Sequence, residues 1–220
     1  MPPSGPDFLT FIVIHSRKLS GLLALASGFI LFIQLLLAGP TEAQEFPAAT
    51  PVGSHTIGLA AGPFFPIRVL SSQSSKLFGE TLMPSWTVTL TEPVGSGWYQ
   101  GQLALGADVI AFHTFEPITA YGVGFTPKLV YTSTAFGRLR PFLEAGGGPV
   151  WTDLGGRVPE QPGQFNFLVW GGAGCSYRMT SDWALNAGYR MMHISNAETR
   201  APNYGLNFGL PFIGLSYQGF

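Results

Sequence analysis

Apolar and polar side chains alternate with a period of two through most of the chain after residue 55. The alternation comes in blocks of roughly ten to fifteen residues, and Gly, Pro, Ser or Asn bounds each block. A period of two places successive side chains on opposite faces of a β-strand. The pattern predicts eight strands: Thr56–Phe65, Ser85–Pro93, Trp98–Phe112, Tyr121–Ser133, Leu139–Thr152, Phe165–Met179, Trp183–Ser195 and Gly205–Tyr217.

The two faces of these predicted strands differ in polarity. In the third strand Leu105 and Val109 share one row, whereas Gln102 and Asp108 share the other. Charges of both signs recur on the polar rows, namely Lys128, Arg140, Arg178, Arg190, Asp108 and Glu144. The core of a soluble β-sandwich, the alternative fold, would not accept so many charges, because an unpaired buried charge is costly.

A small barrel accommodates both rows. Its lumen can pair the charges, while its apolar outer surface faces lipid. Eight strands are the smallest number in single-chain bacterial barrels, and aromatic residues near the strand ends are typical of the membrane interface. We therefore predict an all-β fold, an eight-stranded antiparallel transmembrane β-barrel of the bacterial outer membrane.

Two stretches depart from the regular pattern. Residues Leu70–Pro84 are interpreted as a polar loop at one rim. In the last strand the apolar row switches after Phe212, and the nearby Pro211 predicts a bulge or a strand edge there.

Composition narrows the class of protein. Only 10% of the 220 residues are charged, Gly occurs 29 times, and the net charge is −1. Low charge and abundant glycine fit β structure with both faces occupied, and no basic patch indicates nucleic acid. The single cysteine, Cys175, excludes an internal disulfide and a multi-cysteine metal site.

The first part of the chain is typical of a targeting segment. Arg17 and Lys18 precede the apolar run Leu19–Ala38, and Thr41-Glu42-Ala43 ends it with small residues at the positions a signal peptidase tests. We predict a signal peptide over residues 1–43 and a barrel domain over 44–220, with an uncleaved helical anchor as the alternative.

The candidate chemistry lies in the strand Trp183–Ser195. His193 and Ser195 continue its apolar row, so both side chains lie on one face. A histidine beside a serine is the base and nucleophile arrangement of acyl transfer. The structural alternative is an interfacial histidine bonded to a neighbour, but a polar pair facing lipid costs free energy and favours a function.

Other polar residues form no comparable pattern. His55 and His113 lie near the ends of predicted strands with no partner pattern and are interpreted as ordinary rim residues. Asp153, Glu160 and Asp182 are scattered over loops without the ligand spacing of a Ca²⁺ or Zn²⁺ site, so we predict no metal and no cofactor.

The blocks Met192-His193-Ile194-Ser195-Asn196-Ala197 and Pro202-Asn203-Tyr204-Gly205-Leu206-Asn207 resemble the signature of the PagL-type lipid A deacylase and acyloxyacyl hydrolase family. The resemblance implies an outer-membrane barrel that hydrolyses a fatty acyl ester of lipid A, the lipid of lipopolysaccharide, at its membrane-facing wall. It also implies that Ser195 is the nucleophile and His193 its base, and that three further residues shape the oxyanion site, namely Asn196, Asn203 and Gly205.

One residue departs from the family pattern. Asn207 stands where the best-known members carry a glutamate that orients the histidine. An amide can hold the ring by a hydrogen bond but cannot stabilise the imidazolium as a carboxylate does. Glu198 is either a substitute acid or a solvated loop residue. The alternative function is a small barrel without catalysis, with a structural or adhesion role.

Overall fold

The structure of the protein, a computed structural model, describes residues 49–69 and 75–219. Eight antiparallel strands form a closed barrel in which each strand pairs with the next and β1 pairs with β8. The predicted fold is confirmed, whereas the predicted signal peptide, residues 1–43, lies outside the described residues. The strands are β1 His55–Pro66, β2 Phe78–Thr89, β3 Gly101–Glu116, β4 Ala120–Ser133, β5 Leu139–Thr152, β6 Phe165–Arg178, β7 Trp183–Ser195 and β8 Leu206–Gln218.

The wall of the barrel has an apolar outer surface and a filled interior. In β4, Tyr121, Val123 and Phe125 are exposed, whereas the intervening Gly122 and Thr126 are buried. The same alternation holds in β3, where Leu105 is exposed and Asp108 is buried. No helix in residues 49–69 and 75–219 is long and apolar enough to cross a bilayer.

The second strand begins earlier than predicted. Phe78–Pro84, interpreted above as part of a loop, belongs to β2, which ends at Thr89. Pro84 gave the misleading boundary, since a proline lacks the N–H that a central strand uses. The β2–β3 ladder accommodates it, because the paired positions pass from Leu82↔Ala111 directly to Ser85↔Asp108.

Of the bulge or strand edge predicted in the last strand, the bulge is wrong, but the β1–β8 ladder is interrupted at Pro211, where the paired positions pass from Ala61↔Ile213 to Phe65↔Gly209. The β7–β8 register runs from Trp183↔Tyr217 to Ile194↔Leu206 without a shift, and β8 alternates regularly past Pro211. The apolar residues of β8 change rows because the side chains that fill the lumen change from polar to apolar along the barrel axis. Toward one end the lumen is filled by apolar side chains, among them Phe64, Phe112, Met192, Ile194, Leu206 and Phe208.

A network of buried charges crosses the middle of the lumen. Arg190 lies 2.7 Å (Nε to Oε1) from Glu144 and 2.8 Å (Nη1 to Oδ2) from Asp108. Lys128 Nζ lies 2.6 Å from the other oxygen of Asp108, and the Arg190 guanidinium stacks 3.8 Å from the centre of the Trp170 ring. The predicted pairing of Lys128 and Arg190 with the two acids is confirmed, because each charge has an opposite charge beside it.

The other two cations predicted to face the lumen lie nearer the end of the barrel where β1 begins and β8 ends. Arg140 Nη1 contacts Thr50 Oγ1 at 3.4 Å, and Arg178 Nη2 donates to the carbonyl of Ser181 at 2.7 Å. These contacts keep both guanidiniums inside the barrel wall, where both are buried.

The two ends of the barrel differ in their connections. We call the end that carries segments 67–69, 75–77, 117–119, 153–164 and 196–205 the loop rim. The opposite end, where β1 begins and β8 ends, is the terminus rim. Strand β7 runs from the terminus rim to the loop rim, so its last residues lie at the loop rim.

Candidate active site

The outer wall changes from apolar to polar side chains at the end of β7. Tyr189 and Met191 are exposed on the outer row, and the next two residues of that row are His193 and Ser195, both half-buried. The strand ends at Ser195. The predicted placement of both groups on one face, at the edge of an apolar wall, follows directly from the regular alternation of β7.

Asn207 lies directly opposite His193 on the neighbouring strand. The two residues are paired in the β7–β8 register, and Asn207 Oδ1 lies 2.7 Å from His193 Nδ1. Because a carboxamide oxygen can only accept, this contact places the ring proton on Nδ1 and leaves the lone pair on Nε2. Asn207 is only 3% exposed, so the contact is shielded from solvent.

Gly205 closes the other side of the imidazole. Its backbone has φ +66°, in the left-handed region that favours glycine. A Cβ at this position would lie 2.5 Å from His193 Cε1 and 3.1 Å from Nε2. The ring is therefore held between the amide of Asn207 and the bare backbone of Gly205.

Replacing Gly205 with alanine is expected to lower ester hydrolysis by roughly 10- to 100-fold, because the ring must move by a fraction of an ångström or more. Gly137→Ala is the matched control: Gly137 has φ +62° but open space around the added Cβ. Both variants carry the same backbone strain. Equal activity of the two variants in a fatty-acid release assay would contradict the role of Gly205 as a stop for the ring.

The loop after the strand is held by two asparagines. Asn196 donates its backbone N–H to Asn203 Oδ1 at 3.1 Å and its side-chain Nδ2 to the carbonyl of Arg200 at 2.7 Å. Ala197 and Glu198 both have positive φ, 51° and 61°, so the chain turns sharply just beyond Ser195. The two asparagines thus lie together beside the strand end, and their part in oxyanion stabilisation stays a prediction.

The histidine and the serine are neighbours without a direct bond. Among residues 49–69 and 75–219, no hydrogen bond joins Ser195 Oγ to His193. Catalytic hydrogen bonds are often long or misaligned without substrate and tighten when it binds. Glu198 is exposed on the loop, and the acceptor at His193 Nδ1 is Asn207, so the structure favours the solvated interpretation of Glu198.

An apolar surface adjoins the site on the side of β6. Ser195 is paired with Phe167 and His193 with Val169, and both of these neighbours are exposed on the outer wall. One pair lower, Met191 faces Gly171, whose outer side is open. The wall next to Ser195 therefore has room for an apolar chain without displacing a side chain.

The other two histidines of the described ranges, His55 and His113, lie elsewhere, and each has a partner that the sequence pattern did not indicate. His55 Nδ1 accepts from Trp86 Nε1 at 3.1 Å. His113 lies inside β3, where it stacks on Tyr121 and lies 3.6 Å from Glu80. These contacts form across neighbouring strands, which sequence separation hides, and neither histidine joins the site on β7.

The acids Asp153 and Glu160 lie in the β5–β6 loop, and each has a hydrogen-bond partner. Asp153 Oδ1 accepts from the backbone N–H of Tyr121, and Arg157 pairs with Asp153 at 3.1 Å. Glu160 is fully buried and accepts from the N–H of Ser75 at 2.7 Å. No group of three or more His, Cys, Asp or Glu side chains in the described ranges is placed to hold a metal ion.

Comparison with known proteins identifies the wider relationship. A sequence profile of the family described as "Lipid A 3-O-deacylase (PagL)" matches residues 76–216. The crystal structure of the outer membrane enzyme PagL superposes with a TM-score of 0.52 at 23% identity, covering 72% of this chain and 97% of that one. Neisserial surface protein A superposes with a TM-score of 0.54 at 15% identity, covering 76% and 97%. No curated protein sequence matches.

These matches agree on the setting of the barrel. The first solved structure is described as an outer membrane enzyme, both structures share the fold of this barrel, and the family profile covers β2 to β7 and β8 as far as residue 216. The protein is therefore located in the bacterial outer membrane, as predicted.

Proposed function

The chain belongs to the PagL family of lipid A 3-O-deacylases, and on that premise we propose that it is an outer-membrane serine esterase that removes an ester-linked acyl chain from lipid A. The family description points to the ester at the 3-O position. The observation that carries the proposal is the held histidine: Nδ1 is bonded to Asn207, and the ring lies against Gly205, with Ser195 next on the same row.

The first half of the reaction uses the free side of the ring. His193 Nε2 takes the hydroxyl proton of Ser195 as Oγ attacks the ester carbonyl and forms a tetrahedral intermediate. When the intermediate collapses, the bond to the sugar oxygen breaks, and the imidazolium returns its proton to that oxygen. The products are the sugar alcohol and an acyl group esterified to Ser195.

The second half uses water. His193 Nε2 takes a proton from water, the hydroxide attacks the acyl-serine carbonyl, and the proton passes back to Ser195 Oγ as the fatty acid leaves. No cofactor takes part in either half. The reaction needs a histidine whose lone pair is on Nε2, and the contact with Asn207 keeps it there.

The oxyanion needs hydrogen-bond donors beside Ser195. Because Asn203 Oδ1 accepts from the N–H of Asn196, its amino group is the end of the carboxamide left to donate. We assign this donor to Asn203, with Asn196 orienting it and Gly205 holding the histidine. All three residues predicted to shape the oxyanion site thus act beside the same carbonyl, but only one of them touches the oxyanion.

The position of the site suits a lipid substrate. Outer-membrane barrels carry their longer loops outside the cell, where lipopolysaccharide forms the outer leaflet. Ser195 lies at the loop rim, and Met191, Val169 and Phe167 form the exposed apolar wall below and beside it. An acyl chain lying on this wall brings its ester to the level of the nucleophile.

The proposal is tested with the refolded barrel in detergent and purified lipid A. We expect release of free fatty acid and a matching loss of one acyl chain in the mass spectrum of the lipid. Intact lipid A after prolonged incubation with correctly folded protein would refute the esterase and support the barrel without catalysis.

Replacing Asn207 with aspartate is expected to raise kcat by about tenfold. A carboxylate keeps the hydrogen bond to Nδ1 and adds charge stabilisation of the imidazolium, and charge-assisted bonds are roughly twice as strong as neutral ones. Fatty-acid release at saturating lipid A measures the change.

The matched control is Asn207→Leu, which has a similar shape and removes the acceptor. It should lower kcat, because the ring then loses its tautomer and its orientation. Activity of Asn207→Asp at or below that of the wild type would show that this amide does not stand in for the acid.

A further inference from the structure

A loop far from β7 in sequence reaches the peptide bond next to the nucleophile. Gln161, in the segment 153–164 between β5 and β6, donates its side-chain Nε2 to the carbonyl of Ile194 at 3.3 Å. That carbonyl belongs to the peptide bond that leads into Ser195. Gln161 is 0% exposed, so no solvent competes for the bond.

The loop that carries Gln161 is itself firmly placed. The N–H of Gly156 donates to the carbonyl of Gln161 at 2.7 Å, and the N–H of Gln161 donates to the carbonyl of Val158 at 3.2 Å. Leu154 and Val158 are buried in the apolar half of the lumen. The neighbouring Glu160 binds both the N–H and the hydroxyl of Ser75, so the loop also joins the β1–β2 connection.

The end of β7 needs a stabilising contact from outside the sheet. On the side of β8 the ladder ends at Ile194↔Leu206, and on the side of β6 it ends at Phe167↔Ser195. One residue beyond Ser195, the chain turns sharply away at Ala197 and Glu198, which both have positive φ. The backbone of Ser195 thus lies at the last rung of the sheet, where strands ordinarily fray.

We propose that Gln161 is a positioning residue for the esterase reaction: it holds the Ile194–Ser195 peptide, and thereby keeps Ser195 beside His193 in the place from which Oγ reaches the imidazole when substrate binds. The inference rests on the proposed function. It is independent of substrate binding, since Gln161 lies inside the barrel and the apolar wall lies outside.

The amide oxygen of Gln161 makes it possible to distinguish an effect on catalysis from an effect on folding. Gln161 Oε1 is buried and has no hydrogen-bond partner in the described ranges. Burying an unpaired acceptor destabilises a fold, so replacing the amide with an apolar group of similar shape removes that cost together with the bond to Ile194. Gln161→Met should therefore fold at least as stably as the wild type and yet catalyse less well.

Asn166 provides a matched control. It is also 0% exposed with an unpaired Oδ1, but its Nδ2 donates to the carbonyls of Gly163 and Gln164 in the loop instead of to β7. Asn166→Leu removes the same kind of buried amide and loosens the same loop without touching the strand that carries the nucleophile.

The experiment measures kcat, KM and the thermal midpoint of the refolded full barrel for the wild type, Gln161→Met, Gln161→Asn and Asn166→Leu. We expect kcat to fall about tenfold in both Gln161 variants with KM within about twofold, since only the attack geometry changes. Asn166→Leu should keep the kcat of the wild type, and the thermal midpoint of Gln161→Met should stay at or above the wild-type value.

The outcomes that overturn the inference are distinct from those that overturn the function. A kcat for Gln161→Met equal to that of the wild type, or an equal fall in Asn166→Leu, contradicts a specific role for Gln161. A wild type no more active than Ser195→Ala contradicts the esterase itself, and the inference falls with it.

Discussion

Replacing Ser195 with alanine is expected to abolish deacylation, with a fall in rate of at least about 10³-fold, because no acyl-enzyme can then form. Lipid A extracted from cells that express this variant should keep the acyl chain that the proposed reaction removes. Mass spectrometry of the lipid measures the difference. Ser195 lies on the surface of the barrel wall, and its hydroxyl makes no hydrogen bond within residues 49–69 and 75–219, so the variant should insert normally.

The control for this experiment is Ser181→Ala, which removes an exposed hydroxyl at the terminus rim. It should leave the acylation pattern of the wild type unchanged. Identical lipid A from cells with the wild type and with Ser195→Ala, each correctly inserted, would leave the protein as a barrel without this activity.

Replacing Arg190 with methionine is expected to lower the free energy of unfolding by about 3–5 kcal/mol, the range for breaking one partner out of a buried ion pair. Arg190 binds Glu144 through two nitrogens, at 2.7 and 2.9 Å, and also contacts Asp108. Without it, two buried carboxylates share the single charge of Lys128. Urea unfolding of the barrel in lipid vesicles measures the loss.

A second substitution isolates the electrostatic cause. Arg190→Met combined with Glu144→Gln leaves Asp108 paired with Lys128 and should recover most of the lost stability, because a buried ion pair can be replaced by neutral groups at little cost. A single variant as stable as the wild type would contradict the network's role. A double variant no better than the single one would point to lost packing against Trp170 instead.

Much of the barrel could be predicted because its signals are local. The alternation of β3 to β7 places each side chain on the lumen or the lipid side, whatever the strand pairs with. The errors came where local signals mislead. Pro84 imitated a strand boundary inside β2, and in β8 the change of apolar row was interpreted as a change of backbone phase, whereas only the filling of the lumen changes.

The candidate site also divides into features that local sequence signals predict and features that they do not. The spacing of His193 and Ser195 determined by itself that they share one face, since residues two apart on a strand always do. The β7–β8 register decided that Asn207 meets the imidazole, and the loop geometry decided that Gly205 lies against it.

Gln161 had no signal in the sequence, because it reaches Ile194 only after the β5–β6 loop folds into the lumen. The chain by itself thus determined a lipid-facing barrel with a histidine and a serine at its edge, since alternation is a property of neighbouring residues. Only the tertiary structure decided what holds that pair in place, since its supports come from another strand and from a distant loop.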